Sequence, residues 1–71
     1  MEATYYVIAI SYGQNTEYWN STLVNDEFTT KNPENAEGFG LKEAAEKELK
    51  NTVKPYGEKR GWNVSYLIET I

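Results

Sequence analysis

The side chains in this sequence that could transfer protons or bind a metal ion are carboxylates, lysines and tyrosines. Cysteine and histidine are absent, which excludes thiol chemistry, disulfides and the side chain that most often acts as a general base near neutral pH. A pair of carboxyl groups is the set that glycoside hydrolysis needs. However, 71 residues leave little room for a pocket that would desolvate such a pair. We therefore predict no catalytic residue, no cofactor and no enzymatic activity.

Four acidic side chains in the middle of the sequence are the candidates for a cation site. They are Asp26, Glu27, Glu34 and Glu37, and carboxylate oxygens are the ligands that calcium prefers. Their spacing does not match a calcium-binding loop, in which Asp, Asn and Gly recur at fixed short intervals. Acidic side chains most often lie solvated on the surface. We predict no metal site.

The charge is unevenly distributed along the chain. The net charge is −4, but residues 1–46 carry −6 and residues 47–71 carry +2. One interpretation is that the acids imitate nucleic-acid phosphates and occupy a basic groove on a DNA- or RNA-handling enzyme. The other is that a net charge of this size simply keeps a small domain in solution. The sequence is compatible with both interpretations.

The aromatic content is high for so short a chain. Trp, Tyr and Phe make up 14% of the residues, and each ring can bury about 150–250 Å². One interpretation places most of these rings in the core. The other places Tyr5, Tyr18 or Trp19 on the face of the sheet that no helix covers, as anchors for a partner, because Tyr and Trp dominate interface hot spots. The predicted partner-binding residues are Tyr18, Trp19, Asp26, Glu27, Glu34 and Glu37.

Strands are predicted at both ends of the chain. Residues 4–12 have two fairly apolar faces, which is typical of a central strand, and residues 62–71 alternate apolar and polar side chains, which is typical of a half-buried strand. A turn at 13–16 precedes a hairpin partner at 17–21. Residues 28–30 form either a short third strand or an irregular return.

A single helix is predicted over residues 41–54. Leu41, Ala45, Leu49 and Val53 recur at the helical spacing and form an apolar stripe. Pro55 is expected to end the helix, because the residue before a proline is disfavoured in the α region. The predicted fold class is α+β: one domain spanning residues 1–71, with a small antiparallel or mixed sheet of three or four strands and one helix packed on one face, in the order β-β-(β)-α-β.

The composition also restricts location and partners. No apolar run approaches 18 residues and no basic segment precedes an apolar one near residue 1, so we expect neither a membrane span nor a signal peptide, and a cytoplasmic protein. An acidic chain lacks the basic surface that binds phosphate backbones or anionic lipids. We predict no direct contact with nucleic acid or with a membrane.

A set of short motifs spans most of the chain. They are Tyr6-Val7-Ile8, Tyr18-Trp19, Phe28-Thr29, Asn35-Ala36 followed by Phe39, Glu43-Ala44, and a final apolar strand. This pattern resembles small uncharacterised accessory proteins of bacteriophages and prophages. The resemblance implies a mobile-element origin and supplies no catalytic residues. Some small acidic phage proteins inhibit host defence systems, including CRISPR nucleases, so the resemblance also implies an anti-CRISPR-type inhibitor as one function.

The leading hypothesis is a non-enzymatic phage-type accessory protein in the cytoplasm of the host cell. It binds and inhibits a bacterial protein, with a defence nuclease as the favoured target, through an acidic and aromatic surface. The alternative is a structural module that forms a homodimer by pairing a sheet edge with a second copy. A small enzyme or ligand carrier is a third hypothesis, and it requires a pocket that the short chain is not expected to make.

Overall fold

A four-stranded antiparallel sheet packed against one helical layer forms the fold, as a computed structural model shows for residues 5–22 and 28–71. The predicted α+β class is confirmed. The strands are β1 (Tyr6–Tyr12), β2 (Asn15–Trp19), β3 (Thr29–Thr30) and β4 (Ser65–Thr70). Their order in the sheet is β3-β2-β1-β4, and every neighbouring pair is antiparallel. The strongly apolar β1 is therefore central, as its two-sided pattern predicts.

The first two strands form a tight hairpin. Tyr12 pairs with Asn15, Ile10 with Glu17, and the connecting turn contains Gly13. Gly13 has a φ of 61°, in the left-handed region that a residue without a Cβ adopts at little cost. This two-residue connection sets which side chains of β2 share a face with those of β1.

Beyond the hairpin, the two strands separate and a later segment fills the gap. The Tyr6 and Phe39 backbones exchange two hydrogen bonds of 2.8 Å, and the Glu37 amide donates to the Trp19 carbonyl at 2.9 Å. A 3₁₀ turn at Pro33–Asn35 precedes this segment. Backbone groups at the widening end of the sheet are thereby paired, which buried amides and carbonyls require.

The helical layer extends beyond the predicted end at Pro55. It consists of α1 (Lys42–Glu48), a π-helical turn (Leu49–Val53) and α2 (Lys54–Arg60). The Lys54 amide donates to the Leu49 carbonyl, five residues back, so the turn before Pro55 is wider than an α turn. The extra width gives the proline ring room that a regular helix lacks. The prediction that Pro55 ends the helix is wrong for this reason.

The helix ends instead at Gly61. This residue adopts the left-handed conformation with φ 74° and ψ 27°, and its amide donates to carbonyls of the last turn. A left-handed glycine immediately after a helix is a common ending, because it pairs carbonyls that would otherwise be unsatisfied. Residues 55–60, which the predicted end at Pro55 would leave outside the helix, therefore belong to α2.

The core lies between the sheet and the helical layer. Its fully buried members are Ile8 and Ile10 of β1, Trp19 of β2, Ala45 of α1 and Val53 of the π turn. Partly buried aromatic rings extend it. They are Tyr6, Phe28, Phe39, Tyr56, Trp62 and Tyr66. None of the helices formed by residues 5–22 and 28–71 has the length and apolar character that crossing a membrane requires.

Candidate functional site

Within residues 5–22 and 28–71, no helix packs on one of the two faces of the sheet. Ile8 and Ile10 contact the helical layer, and successive side chains of a strand point to opposite faces. Val7 and Ala9 therefore point away from the helices, and both are fully buried all the same. Directly paired residues of neighbouring strands share a face, which places Leu67, the partner of Ala9, on this side as well.

Three large apolar side chains are exposed on this face. Leu67 is 61% exposed, Ile71 is 53% exposed and Tyr5 is 47% exposed. Ile71 and Tyr5 are paired by two backbone hydrogen bonds of 2.9 and 3.2 Å, which brings them side by side. Tyr18, half-buried, lies on the same side because it also pairs with Ala9. We call Tyr5, Tyr18, Leu67 and Ile71 the open face.

The two predicted aromatic anchors lie on opposite faces. Tyr18 belongs to the open face, whereas Trp19 is only 2% exposed and lies in the core. The Trp19 indole donates from Nε1 to Glu48 Oε2 at 3.1 Å, and its ring centroid lies 5.7 Å from that of Phe28 and 5.5 Å from that of Tyr56. The prediction that Trp19 is an exposed partner-binding residue is wrong, because alternation along β2 turns its ring toward the helices.

Strand β4 lies at the edge of the sheet, beside the open face. In an antiparallel pair, residues that exchange both hydrogen bonds alternate with residues that exchange none. Tyr5 and Ile71 exchange both, so the amides and carbonyls of Tyr66, Ile68 and Thr70 are directed away from β1. Within the described residues, these groups have no strand neighbour. An edge of this kind is a template for another strand.

The described members of the predicted acidic set, Glu34 and Glu37, are not part of the open face. Glu34 is exposed in the 3₁₀ turn. Glu37 is partly buried, and its Oε1 accepts hydrogen bonds from the Ser21 amide at 2.9 Å and the Ser21 hydroxyl at 2.6 Å. Asp26 and Glu27 lie outside the described residues. Glu37 thus stabilises the turn after β2, which is a structural role, and Glu34 is the exposed carboxylate of the two.

The titratable groups show one shift of note. Burial raises the pKa of the Tyr66 hydroxyl above its ordinary value, and the negative charge of Glu58 raises it further. Tyr66 faces the helices, where a Cβ added at Gly57 would overlap its hydroxyl. The described portion of the chain contains no group of three or more acidic side chains that could hold a metal ion.

Leu67 and Ile71 are members of the open face that the sequence interpretation did not single out. In the predicted strand 62–71, Leu67 falls among the polar side chains of Asn63, Ser65 and Glu69. An apolar residue on the polar side of a half-buried strand is the signal that could have identified it. The amphipathic pattern alone does not show that Tyr5 and Tyr18 lie on the same side, because that depends on how the strands pair.

Comparison of the chain with protein-family models, with curated proteins and with solved structures finds no match. A functional assignment therefore depends on the geometry of the open face and of the β4 edge.

Proposed function

We propose that this chain is a non-enzymatic protein-binding module whose partner contacts the open face and adds a strand to β4. The observation that carries the proposal is the coincidence of two features at one border of the sheet. Leu67 is exposed and apolar, and the flanking residues Tyr66 and Ile68 direct backbone groups outward at the edge. In strand addition, backbone hydrogen bonds provide affinity while alternate side chains provide specificity.

The energetics favour an apolar contact at this position. Full burial of a leucine or isoleucine side chain stabilises a complex by about 1.5–3 kcal/mol. Leu67 and Ile71 together with the ring of Tyr5 supply enough apolar surface for the centre of a small interface, where tyrosine is enriched. A β-strand of the partner would cover Leu67 while bonding to the β4 backbone.

The partner that we propose is a protein of a bacterial host cell, met in its cytoplasm and inhibited by binding. A defence nuclease is the favoured target, in the manner of anti-CRISPR proteins. This is supported by the resemblance to phage accessory proteins and by the net charge of −4, which complements the basic grooves of enzymes that handle nucleic acid. Glu34 belongs to the predicted acidic set and is exposed, so its carboxylate could contact such a groove.

The proposal is tested by capture of proteins from bacterial lysate, quantified by mass spectrometry with and without nuclease treatment. Leu67→Thr introduces a β-branched residue that suits a strand but removes apolar surface. It should reduce the captured partner by about tenfold, which corresponds to about 1.4 kcal/mol. Leu41→Thr is the matched control, because Leu41 is 68% exposed but precedes α1 in the helical layer. Equal loss in both variants would contradict the proposal.

Pairing of β4 with a second copy is the alternative function, and it uses the same outward backbone groups of Tyr66 and Ile68. It would produce a symmetric dimer with a continuous sheet. Sedimentation over a concentration series separates the two functions. A stable dimer that Leu67→Thr dissociates would favour self-association, whereas a monomer at all concentrations favours a different partner.

A further inference from the structure

A cleft lies on the helix side of the sheet, away from the open face. Its volume is about 430 Å³, and the rings of Tyr12 and Trp62 contribute to its walls. Small-molecule sites in proteins span about 300–1,000 Å³ and combine apolar walls with a few polar groups. The cleft falls in this range, which contradicts the expectation that so short a chain makes no pocket.

Two groups of opposite charge line the same cleft. They are Glu17, on β2, and Arg60, at the end of α2. Thr29 Oγ1 donates to Glu17 Oε1 at 2.8 Å, and Arg60 Cζ lies 4.8 Å from the centroid of the Tyr56 ring. Each charged group is thus positioned by a neighbour.

The two charged side chains have different neighbours. In the described part of the chain, Glu17 and Arg60 form no ion pair with one another. The Glu17 carboxylate can therefore accept hydrogen bonds from a ligand, and the Arg60 guanidinium can bind an anionic group of the same ligand. A complementary ligand carries N–H donors at one end, an anionic group at the other and a flat body between them.

We propose that this cleft binds a mononucleotide. Tyr12 or Trp62 would stack on the base, since bases stack on aromatic side chains irrespective of sequence. Arg60 would pair with the phosphate, for which a guanidinium is well suited. Glu17 would accept from the amino group of the base, as carboxylates do from the N4 amino group of cytosine.

The overall acidity of the chain does not oppose this inference. Binding of a nucleic-acid backbone requires many basic contacts because many phosphates must be neutralised. A mononucleotide presents one phosphate, and one arginine is placed to meet it. The inference is also independent of the proposed function, because Leu67 and the β4 edge lie on the other side of the sheet.

The test is a titration of the ¹⁵N-labelled protein, followed by NMR through the indole N–H signals of its two tryptophans. GMP and CMP should shift the signal of Trp62, which lines the cleft, while Trp19 remains an internal reference because it is buried and bonded to Glu48. UMP has a carbonyl oxygen, an acceptor, where CMP has the amino group that would donate to Glu17. It should bind about tenfold more weakly.

Variants assign the roles of the two charged residues. Arg60→Gln should lower the affinity for GMP and for CMP by about tenfold. Glu17→Gln should reduce the preference for CMP over UMP. Lys59→Gln is the matched control, because it removes an adjacent positive charge that does not line the cleft, and it should change affinity by less than about twofold. Failure of millimolar GMP or CMP to shift the Trp62 signal would overturn the inference, as would equal binding of inorganic phosphate and GMP.

Discussion

Gly57 is a residue at which a single added methyl group should destabilise the fold. It is buried in α2, and a Cβ there would overlap the Tyr66 hydroxyl and lie 2.8 Å from Trp62 Cε3. Gly57→Ala gains about 1 kcal/mol of helix propensity, but overpacking of this kind typically costs about 1–3 kcal/mol. We expect a net loss in the free energy of unfolding, measured by denaturant titration. Gly40→Ala, where a Cβ meets nothing within 4 Å, is the control and should be neutral; equal stability of the two variants would refute the close approach.

Tyr66 should make the stability of the protein fall at alkaline pH. Its raised pKa means that the folded state keeps the proton to a higher pH than the unfolded state, whose tyrosines titrate near pH 10. The folded state therefore binds more protons above about pH 10, and the free energy of unfolding declines as pH rises from there. Tyr66→Phe should show a smaller decline above about pH 10 in denaturant titrations. Identical pH slopes would exclude this contribution.

At the residue scale, Trp19 marks the limit of what the sequence could predict. A tryptophan side chain is equally suited to a core and to an interface. The choice depends on the phase of β2 relative to β1, which the hairpin pairing determines through Ile10 and Glu17. The sequence locates the turn at Gly13, but not which residues pair across it.

The π turn is the element that the sequence did not predict, because the helix was expected to end at Pro55. A proline in a helix interior costs about 3 kcal/mol relative to alanine, and widening of the preceding turn offsets part of that cost. Pro55→Ala should therefore raise the free energy of unfolding by about 1 kcal/mol. Pro33→Ala is the matched control, since Pro33 begins its 3₁₀ turn, where a proline is favourable, and no gain is expected there.

A loss of stability in Pro55→Ala would contradict a helix that continues through Arg60. If the chain left the helix at Lys54, the proline would restrict a loop, and its removal would favour the unfolded state. Circular dichroism of the same variant checks that the helical content is retained.

The elements themselves were largely predictable. The apolar faces of β1 and the alternation before Ile71 follow from period-two patterns. The stripe of Ala45, Leu49 and Val53 follows from helical spacing, whereas Leu41, predicted to begin that stripe, is exposed and precedes α1. The continuation through Tyr56 was not predictable from local rules, because those rules place a boundary before Pro55. The packing of Gly57 against Trp62 and Tyr66 is a tertiary contact, and it outweighs the local preference for a helix end before Pro55.

At the scale of the whole molecule, the two faces of one sheet have different properties. The helix side contains the core and the cleft with Glu17 and Arg60, while the open face presents Leu67 and Ile71. Contact between a partner and the open face would leave the cleft accessible. We therefore expect Leu67→Thr to impair partner capture without changing nucleotide binding, and Arg60→Gln to do the reverse; parallel effects on both would show that the two surfaces are not separate.

The open face itself could not be assembled from the sequence. Tyr5 and Ile71 lie near opposite ends of the chain, and their contact depends on β1 and β4 being neighbours in the sheet. The sequence predicts a strand near each end of the chain, but it does not predict that an exposed tyrosine and isoleucine meet where the two strands pair.

The most direct test of the protein-binding claim is hydrogen exchange of the backbone amides in the complex with the captured partner. Strand addition at β4 predicts that the amides of Tyr66, Ile68 and Thr70 exchange more slowly in the complex than in the free protein, because each gains a hydrogen-bond acceptor. Amides of α1 should be unaffected. Unchanged exchange at these three residues, with new protection confined to the helical layer, would contradict the account.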